Sequence, residues 1–370
     1  MKKVNWKRIV IKVGSALIAP HGNGCSSHYL LSIAQFIVNC RSQGIEVVLV
    51  SSGSVAAGSH LFPEEIEKTI ALRKAMAAAG QTEMMATWDK LFDFASAQVL
   101  LTRCDLRDRE RYVSVKNTIN SLLEHGILPI VNENDTIVTD KAKVGDNDNL
   151  SAIVAAAADA DALIICSDID GLYDKNPHKH DDAVLLPKID KIDEKIYAMA
   201  DGATSAVGTG GMQTKVEAAE KATSHGIDTY IVNGFTELSF NMLLQGENPG
   251  THFTSDPSPM QEHLHWMTHT STAQGEVIVE DDFDGKLDGQ LHSEQLTSDD
   301  LIDVKGEFAV GDTILVRKHD GTKLAKARSN YSSCLLTFIT NQDDNVFAEE
   351  FQQQTGPIIS DKNIAMLEEL

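Results

Sequence analysis

The feature of this sequence that most constrains its fold is the alternation of short β-branched runs with longer helical stretches up to about residue 235. The short runs are nearly continuous in apolar residues, which is typical of strands buried on both faces of a sheet. They are RIVIKV (8–13), EVVLVS (46–51), AQVLLT (97–102), ILPIVN (127–132), ALIICS (162–167) and TYIVN (229–233). The segments between them are long enough for crossover helices, so the pattern predicts a three-layer αβα sandwich around a mainly parallel sheet.

The length of 370 residues exceeds what one core comfortably holds, so we expect two domains. The first is predicted over 1–258, and a segment rich in Thr, Ser, Pro and His without a clear period predicts a linker over 259–274. Short β runs with glycine turns then predict a small β-rich domain over 275–355, followed by a C-terminal tail over 356–370. The runs assigned to this domain are EVIVE, FAVGDTILVRK and CLLTFIT.

Composition and charge exclude several classes of function. The net charge of −22 argues against non-specific affinity for nucleic acids or anionic membranes. No apolar run has the length of a membrane span and the N-terminus lacks the core of a signal peptide, so we expect a cytoplasmic protein with no membrane partner. Five scattered cysteines without CxxC spacing disfavour both a zinc site and a disulfide framework.

The segment KVGDNDNLSAIVAAAA (143–158) sets two aspartates and two asparagines before a run of small apolar residues. Asp148 or Asn149 is expected to cap the helix that follows, but a cap needs only one residue. A calcium loop is excluded because Ser151 stands where that loop needs glycine and Ala157 where it needs glutamate. A plain surface turn and a ligand site both remain open.

A glycine-rich segment, GTGGMQTK (208–215), leads into a predicted helix. Glycines let the backbone approach an anion closely, and free N–H groups at a helix start attract phosphate. The spacing is not that of a Walker A loop, and a flexible turn is the alternative interpretation.

Lys12, at the carboxyl end of an apolar strand, either extends to solvent or converges with Lys215 on one phosphate chain. Asp168, which follows the fifth strand, would then hold the two ammonium groups or Mg²⁺, or else cap a turn.

Seven segments in the same order resemble the amino-acid kinase family across almost all of the first 235 residues. They are IVIKVGSAL, VVLVSSGSVAAG, LLTRCDLRDRERY, LPIVNENDTI, KVGDNDNLSA, SDIDGLYDKNP and VGTGGMQTKVEAA. Later in the chain, VKGEFAVGDTILVRKHDGTKLAKARSNYSS is similar to a PUA domain, whereas GKLDGQLHSEQLTSDD keeps little of that pattern.

The resemblance implies transfer of the ATP γ-phosphate to the side-chain carboxylate of L-glutamate, the first step of proline biosynthesis, with Mg²⁺ as a cofactor. The catalytic residues it implies are Lys12, Lys215, Asp168 and, as a further candidate, Asp148. The glutamate-binding residues it implies are Ser52, Asp135 and Asn147. The nucleotide-binding residues it implies are Lys12, Ser167, Asp168, Thr209, Gly210, Gly211, Met212, Gln213, Thr214 and Lys215.

Other expectations accompany the resemblance. L-Proline is implied as a feedback inhibitor, and a homo-oligomer, either dimer or tetramer, is expected. One alternative within the family is phosphorylation of N-acetylglutamate, which the NEND and GDNDN segments disfavour. An alternative of another class is an RNA-binding protein that uses the PUA-like domain. Residues 275–351 hold seven Lys/Arg against seventeen Asp/Glu, which makes a poor surface for RNA.

Overall fold

The computed structural model describes residues 5–20, 24–63, 67, 69–138, 146–201, 211–281, 283, 296–297, 300–340 and 357–367. The chain divides into two compact units, Met1–Pro259 and Met260–Leu370. Within the described ranges, no helix is both long and apolar enough to cross a bilayer.

The first unit alternates strands and helices in the order that the sequence predicts. Its strands are β1 (Arg8–Val13), β2 (Glu46–Ser51), β3 (Ser96–Leu101), β4 (Leu128–Glu133), β5 (Ala162–Ser167), β6 (Lys188–Ile189), β7 (Asp228–Asn233) and β8 (Thr251–Phe253). Its helices are α1 (Ser15–Ile18), α2 (Leu30–Ser42), α3 (Ser54–Gly58), α4 (Ile70–Asp89), α5 (Arg103–Arg107), α6 (Arg109–Glu124), α7 (Asn147–Ala157), α8 (Glu194–Ala200), α9 (Met212–Ser224) and α10 (Glu237–Leu244), with a 3₁₀ turn over Ser59–Leu61.

The strands form one sheet in the order β3-β4-β2-β1-β5-β7-β8-β6. The six strands from β3 to β7 are parallel, while β8 is antiparallel to β7 and parallel to β6. Each of the six predicted strands forms within one residue of its predicted bounds. The predicted mainly parallel sheet is therefore confirmed.

Helices cover both faces of this sheet. Ile9, Ile11 and Val13 of β1 share one core with buried residues of α2, α4 and α10. The alternate residues of β1 point to the opposite face. There Lys12 meets α7, which packs over β1, β5, β2 and β4. The strand therefore buries both faces, and its one charged central residue needs a partner from α7.

The second unit contains α11 (Glu262–His269), β9 (Gly275–Val279), β10 (Leu301–Gly306), β11 (Thr313–Lys318), β12 (Lys323–Ser329), α12 (Ser333–Thr340) and β13 (Ile359–Met366). Its strands pair in the order β10-β9-β11-β12-β13, and β9 with β11 is the parallel pair. A small β-rich domain was expected in this region. Its core includes Val277, Val279, Ile314 and Val316.

Two segments of the second unit differ from their predicted structure. CLLTFIT was predicted to be a strand but forms most of helix α12. The residues it buries, Leu336 and Ile339, are three apart, which is a helical spacing, and Ser332 Oγ accepts the Leu335 N–H. The segment expected to be a linker forms α11, where Lys326 Nζ donates to the carbonyls of Met267, Thr268 and Ser271.

Candidate active site

The candidate site lies beyond the carboxyl ends of β1, β2 and β5, at the edge where parallel sheets bind their ligands. A cavity opens there against the first turn of α7 and the first turns of α9. The lining includes the predicted residues Lys12, Ser52, Asn147, Ser167, Asp168 and Lys215. The sheet topology thus gathers side chains from distant parts of the sequence into one cavity.

Asp148 lies between the two predicted lysines. Its Oδ1 is 2.5 Å from Lys12 Nζ, and its Oδ2 is 3.2 Å from Lys215 Nζ. Thr214 Oγ1 also donates to Oδ2, at 2.9 Å. The Asp148 side chain is 1% exposed, against 8% for Lys12 and 9% for Lys215. Lys12 therefore does not extend to bulk solvent, because it converges with Lys215 on a buried carboxylate.

The two ammonium groups determine the charge state of Asp148. Burial alone would raise the pKa of this carboxyl group, but the positive charges of Lys12 and Lys215 outweigh burial and lower the pKa to about 2. Asp148 is therefore ionised at neutral pH. The three residues together carry one net positive charge inside the cavity.

Asp168 was expected to hold either the two ammonium groups or Mg²⁺. The first alternative is wrong, because both lysines contact Asp148, and the second stays a prediction. Asp168 lies exposed just after β5, where its Oδ1 accepts from Ser167 Oγ at 3.1 Å. The physical reason is the placement of α7 over β1, because the Asp148 side chain in the first turn of that helix already faces Lys12. Asp168 keeps a place on the cavity wall with a solvent-accessible carboxylate.

The start of α7 also differs from the sequence expectation. Asp146, rather than Asp148 or Asn149, is the N-cap, and its Oδ1 accepts the Asn149 N–H at 2.9 Å. Burial and the nearby Asp148 charge raise the pKa of Asp146. Because the cap lies one residue before the helix, Asn147 and Asp148 in the first turn can face the cavity.

Asn147 joins the ends of two strands. Its Nδ2 donates to Ser52 Oγ, just after β2, at 2.7 Å and to Asn132 Oδ1, in β4, at 2.8 Å. Asn132 was not among the residues singled out from the sequence, although it lies in the segment LPIVNENDTI. The signal that identifies it is an amide in a mostly apolar strand, where a buried polar side chain needs a partner.

Asp135 is half-buried in the turn that follows β4, and its Oδ2 accepts from Ser54 Oγ at 2.7 Å. Ser54 is the first residue of α3, two residues after Ser52. The hydrogen bond therefore ties the loop that carries Asp135 to the loop that carries Ser52. Ser54 lies in the segment VVLVSSGSVAAG, where the sequence gave it no predicted role.

The described part of the glycine-rich segment starts at Gly211, so Thr209 and Gly210 lie outside the described residues. Gly211 is the N-cap of α9, and its carbonyl oxygen lies 2.9 Å from Thr214 Oγ1. Met212 is buried and Gln213 is exposed. The first turn of α9 therefore lies beside Asp148.

Comparisons with known proteins identify the family of this chain. The model of the amino acid kinase family matches residues 7–233. Glutamate 5-kinase 1 of Pseudoalteromonas translucida is 65% identical over 368 residues, covering 100% of both chains. Glutamate 5-kinase of Idiomarina loihiensis is 55% identical over 353 residues, covering 95% of both chains. Among solved structures, the UMP kinase of Bacillus anthracis is 16% identical with a TM-score of 0.47, covering 68% of this chain and 97% of that chain. The chain belongs to the amino acid kinase family, in its glutamate 5-kinase branch.

Proposed function

We propose that this chain transfers the γ-phosphate of ATP to the side-chain carboxylate of L-glutamate, giving glutamate 5-phosphate and ADP, as the first step of proline biosynthesis. The observation that carries the proposal is the buried arrangement of Lys12 and Lys215 on Asp148, in the same cavity as Ser52 and Asn147. The relatives of this chain at 65% and 55% identity bear the name glutamate 5-kinase, which supports the same activity.

The nucleophile in this reaction needs no general base. A glutamate side chain has an unperturbed pKa of about 4.3, so the attacking carboxylate is already ionised at neutral pH. The difficulty is instead electrostatic, because an anion must approach the polyanionic phosphate chain. Catalysis then depends on positive charge and hydrogen-bond donors that are positioned before the reaction begins.

Lys12 and Lys215 meet this requirement because Asp148 fixes their positions without neutralising both. Each ammonium group has three N–H donors. The contact of each lysine with Asp148 uses one of them, and Lys215 also donates to the Gly211 carbonyl at 3.4 Å. The remaining donors are available to oxygens of the transferring phosphoryl group, where charge develops in the transition state.

Glutamate carries an α-ammonium group and two carboxylates, and the other end of the site offers a partner for the ammonium group and for one carboxylate. Ser52 Oγ accepts from Asn147, so its own proton can be donated to a carboxylate of the substrate. Asp135 supplies a negative charge for the α-ammonium group, and Ser54 holds that carboxylate in place. We therefore assign glutamate binding to Ser52, Asp135 and Asn147.

The nucleotide is assigned to Ser167, Asp168 and the segment from Thr209 to Lys215. Mg²⁺ usually binds through one or two carboxylates, water and phosphate oxygens, so it needs no cage of protein ligands. Among the described residues there is no cluster of three or more Asp, Glu, His or Cys side chains suited to a metal ion. The accessible Asp168 carboxylate fits an ion that arrives with ATP, and bound Mg²⁺ would offset negative charge on the phosphates.

Three expectations accompany the proposed activity. L-Proline should compete with glutamate, because it also carries an α-carboxylate and a positively charged α-nitrogen. The enzyme is expected to be a dimer or tetramer. A cytoplasmic location stays a prediction from the sequence.

The test is an ATP-dependent phosphorylation assay with L-glutamate, N-acetylglutamate, aspartate and UMP, each with and without Mg²⁺ and L-proline. We expect product from L-glutamate alone, and only when Mg²⁺ is present. Asp148→Ala serves as the inactive control, because it removes the partner of both lysines. Phosphorylation of N-acetylglutamate and not of L-glutamate would overturn the assignment.

A further inference from the structure

Gln81 lies in α4, outside the cavity, yet it is connected to the candidate glutamate site. Only 9% of its surface is exposed. Its Oε1 accepts from Asn132 Nδ2 at 2.8 Å, while Oδ1 of the same Asn132 accepts from Asn147 Nδ2 at 2.8 Å. Three amides therefore form a continuous hydrogen-bonded chain from α4 to the cavity wall.

The backbone sets the orientation of these three hydrogen-bonded amides. The Glu133 N–H, which can only donate, points to Asn132 Oδ1 at 2.8 Å. The other end of the Asn132 amide, its Nδ2, is thereby turned to Gln81. Asn147 must then present Nδ2 to Asn132 and Ser52, which turns its own carbonyl oxygen away from them. A reversed Asn147 amide would set two carbonyl oxygens against each other.

The position of Gln81 is fixed by the residue before it. A Cβ atom on Gly80 would lie 1.9 Å from the Ser54 carbonyl oxygen and 2.3 Å from the Gly58 backbone nitrogen, so α4 touches α3 backbone to backbone. Farther along α4, Trp88 Nε1 donates to Ser51 Oγ at 3.1 Å. The helix therefore cannot slide to compensate for the loss of one hydrogen bond.

We propose that Gln81 is a positioning residue for the glutamate site, holding Asn132 so that Asn147 keeps its nitrogen on Ser52 and its carbonyl oxygen available to the substrate. This inference rests on the proposed function. The Asn147 carbonyl oxygen can accept a hydrogen bond from the ammonium group of the substrate. If the amide were reversed, its NH₂ group would face the ammonium group, and two donors cannot form a hydrogen bond with each other. Loss of the Gln81 contact should therefore weaken glutamate binding and leave ATP binding nearly unchanged.

The first experiment compares three variants of the full chain in the glutamate phosphorylation assay. Gln81→Met keeps the length but lacks an acceptor, which leaves the buried Asn132 Nδ2 without its partner. It should raise KM for glutamate about tenfold or more and change KM for ATP less than about twofold. Gln81→Glu retains an acceptor oxygen and should recover most of the affinity. Thr82→Val, at the exposed next position of α4, is the matched control and should behave as wild type.

The second experiment is a double-mutant cycle with Asn147→Ala. If Gln81 acts through Asn147, Gln81→Met should not raise KM for glutamate further once Asn147 is absent. Additive effects, or equal increases in both KM values, would overturn the proposal. Should Gln81→Met fail to fold, Gln81→Asn, whose shorter side chain withdraws the acceptor, takes its place with the same expectation. A wild-type chain that does not phosphorylate glutamate would instead contradict the proposed function.

Discussion

Lys12 Nζ lies 2.5 Å from Asp148 Oδ1, and this ion pair joins a central strand of the sheet to the first turn of α7. Both side chains are nearly inaccessible to solvent. A buried pair of charges rarely stabilises a fold more than apolar residues of the same size would. The role proposed for it is functional, since it holds an ammonium group at a fixed point of the cavity while Lys215 binds the other carboxylate oxygen.

Asp148→Asn should destabilise the protein most at neutral pH and least in acid. The folded-state pKa of about 2 lies below the ordinary value of 3.8, so ionised Asp148 contributes stability above about pH 4, and this contribution is lost as the pH falls through 2. The difference in unfolding free energy between wild type and Asp148→Asn should shrink by roughly 2 kcal/mol over that interval. Urea unfolding at pH 7, 4 and 2.5 measures it, and a difference independent of pH would contradict the ion-pair assignment.

Lys215→Ala should lower kcat by at least about a hundredfold and raise KM for glutamate far less. The reason is that the role proposed for Lys215 is to stabilise charge that develops only in the transition state. Lys175→Ala is the matched control, because it breaks a Lys–Asp pair of 2.6 Å on the exposed surface. Steady-state kinetics of both variants decide the point. A raised KM with an unchanged kcat would show that Lys215 does not stabilise the transition state.

The sequence predicted the sheet well, because continuous apolar runs and their order along the chain determine buried parallel strands. Lys12 could be placed at the ligand edge for the same reason, whereas Lys215 was added from the glycine-rich segment and Asn147 from the family resemblance. The carboxylate that pairs with the lysines could not be predicted from the sequence. Asp148 and Asp168 were both candidates, and only the position of α7 over β1 decides between them. Gln81 was also missed, because nothing local distinguishes it from other polar residues of a long helix. CLLTFIT shows the related limit that short apolar runs fit both helix and strand.

Asp135→Ala should raise KM for glutamate strongly, by about a hundredfold, with a smaller effect on KM for ATP. The assigned role is to pair with the α-ammonium group, and loss of a buried charged partner typically costs a few kcal/mol of binding free energy. Ser54→Ala should give a weaker change of the same kind, because it removes the donor that holds the Asp135 carboxylate. Initial rates at varied glutamate concentrations give KM for both variants. An unchanged KM in Asp135→Ala would contradict the assignment.

Gly80→Ala tests how tightly α4 must lie against α3. The added Cβ would meet the Ser54 carbonyl at 1.9 Å, and a backbone atom cannot move aside as a flexible side chain can. We expect a loss of about 3 kcal/mol or more in unfolding free energy, together with weaker glutamate binding, because Ser54 also holds Asp135.

Gly44→Ala is the control for this substitution. Gly44 has a φ of +81° but has no atom within 4 Å of its added Cβ, so only backbone strain of about 1 kcal/mol should result. Thermal unfolding monitored by circular dichroism separates the two variants. Equal losses of stability would show that the contact between Gly80 and Ser54 does not limit the packing of α4.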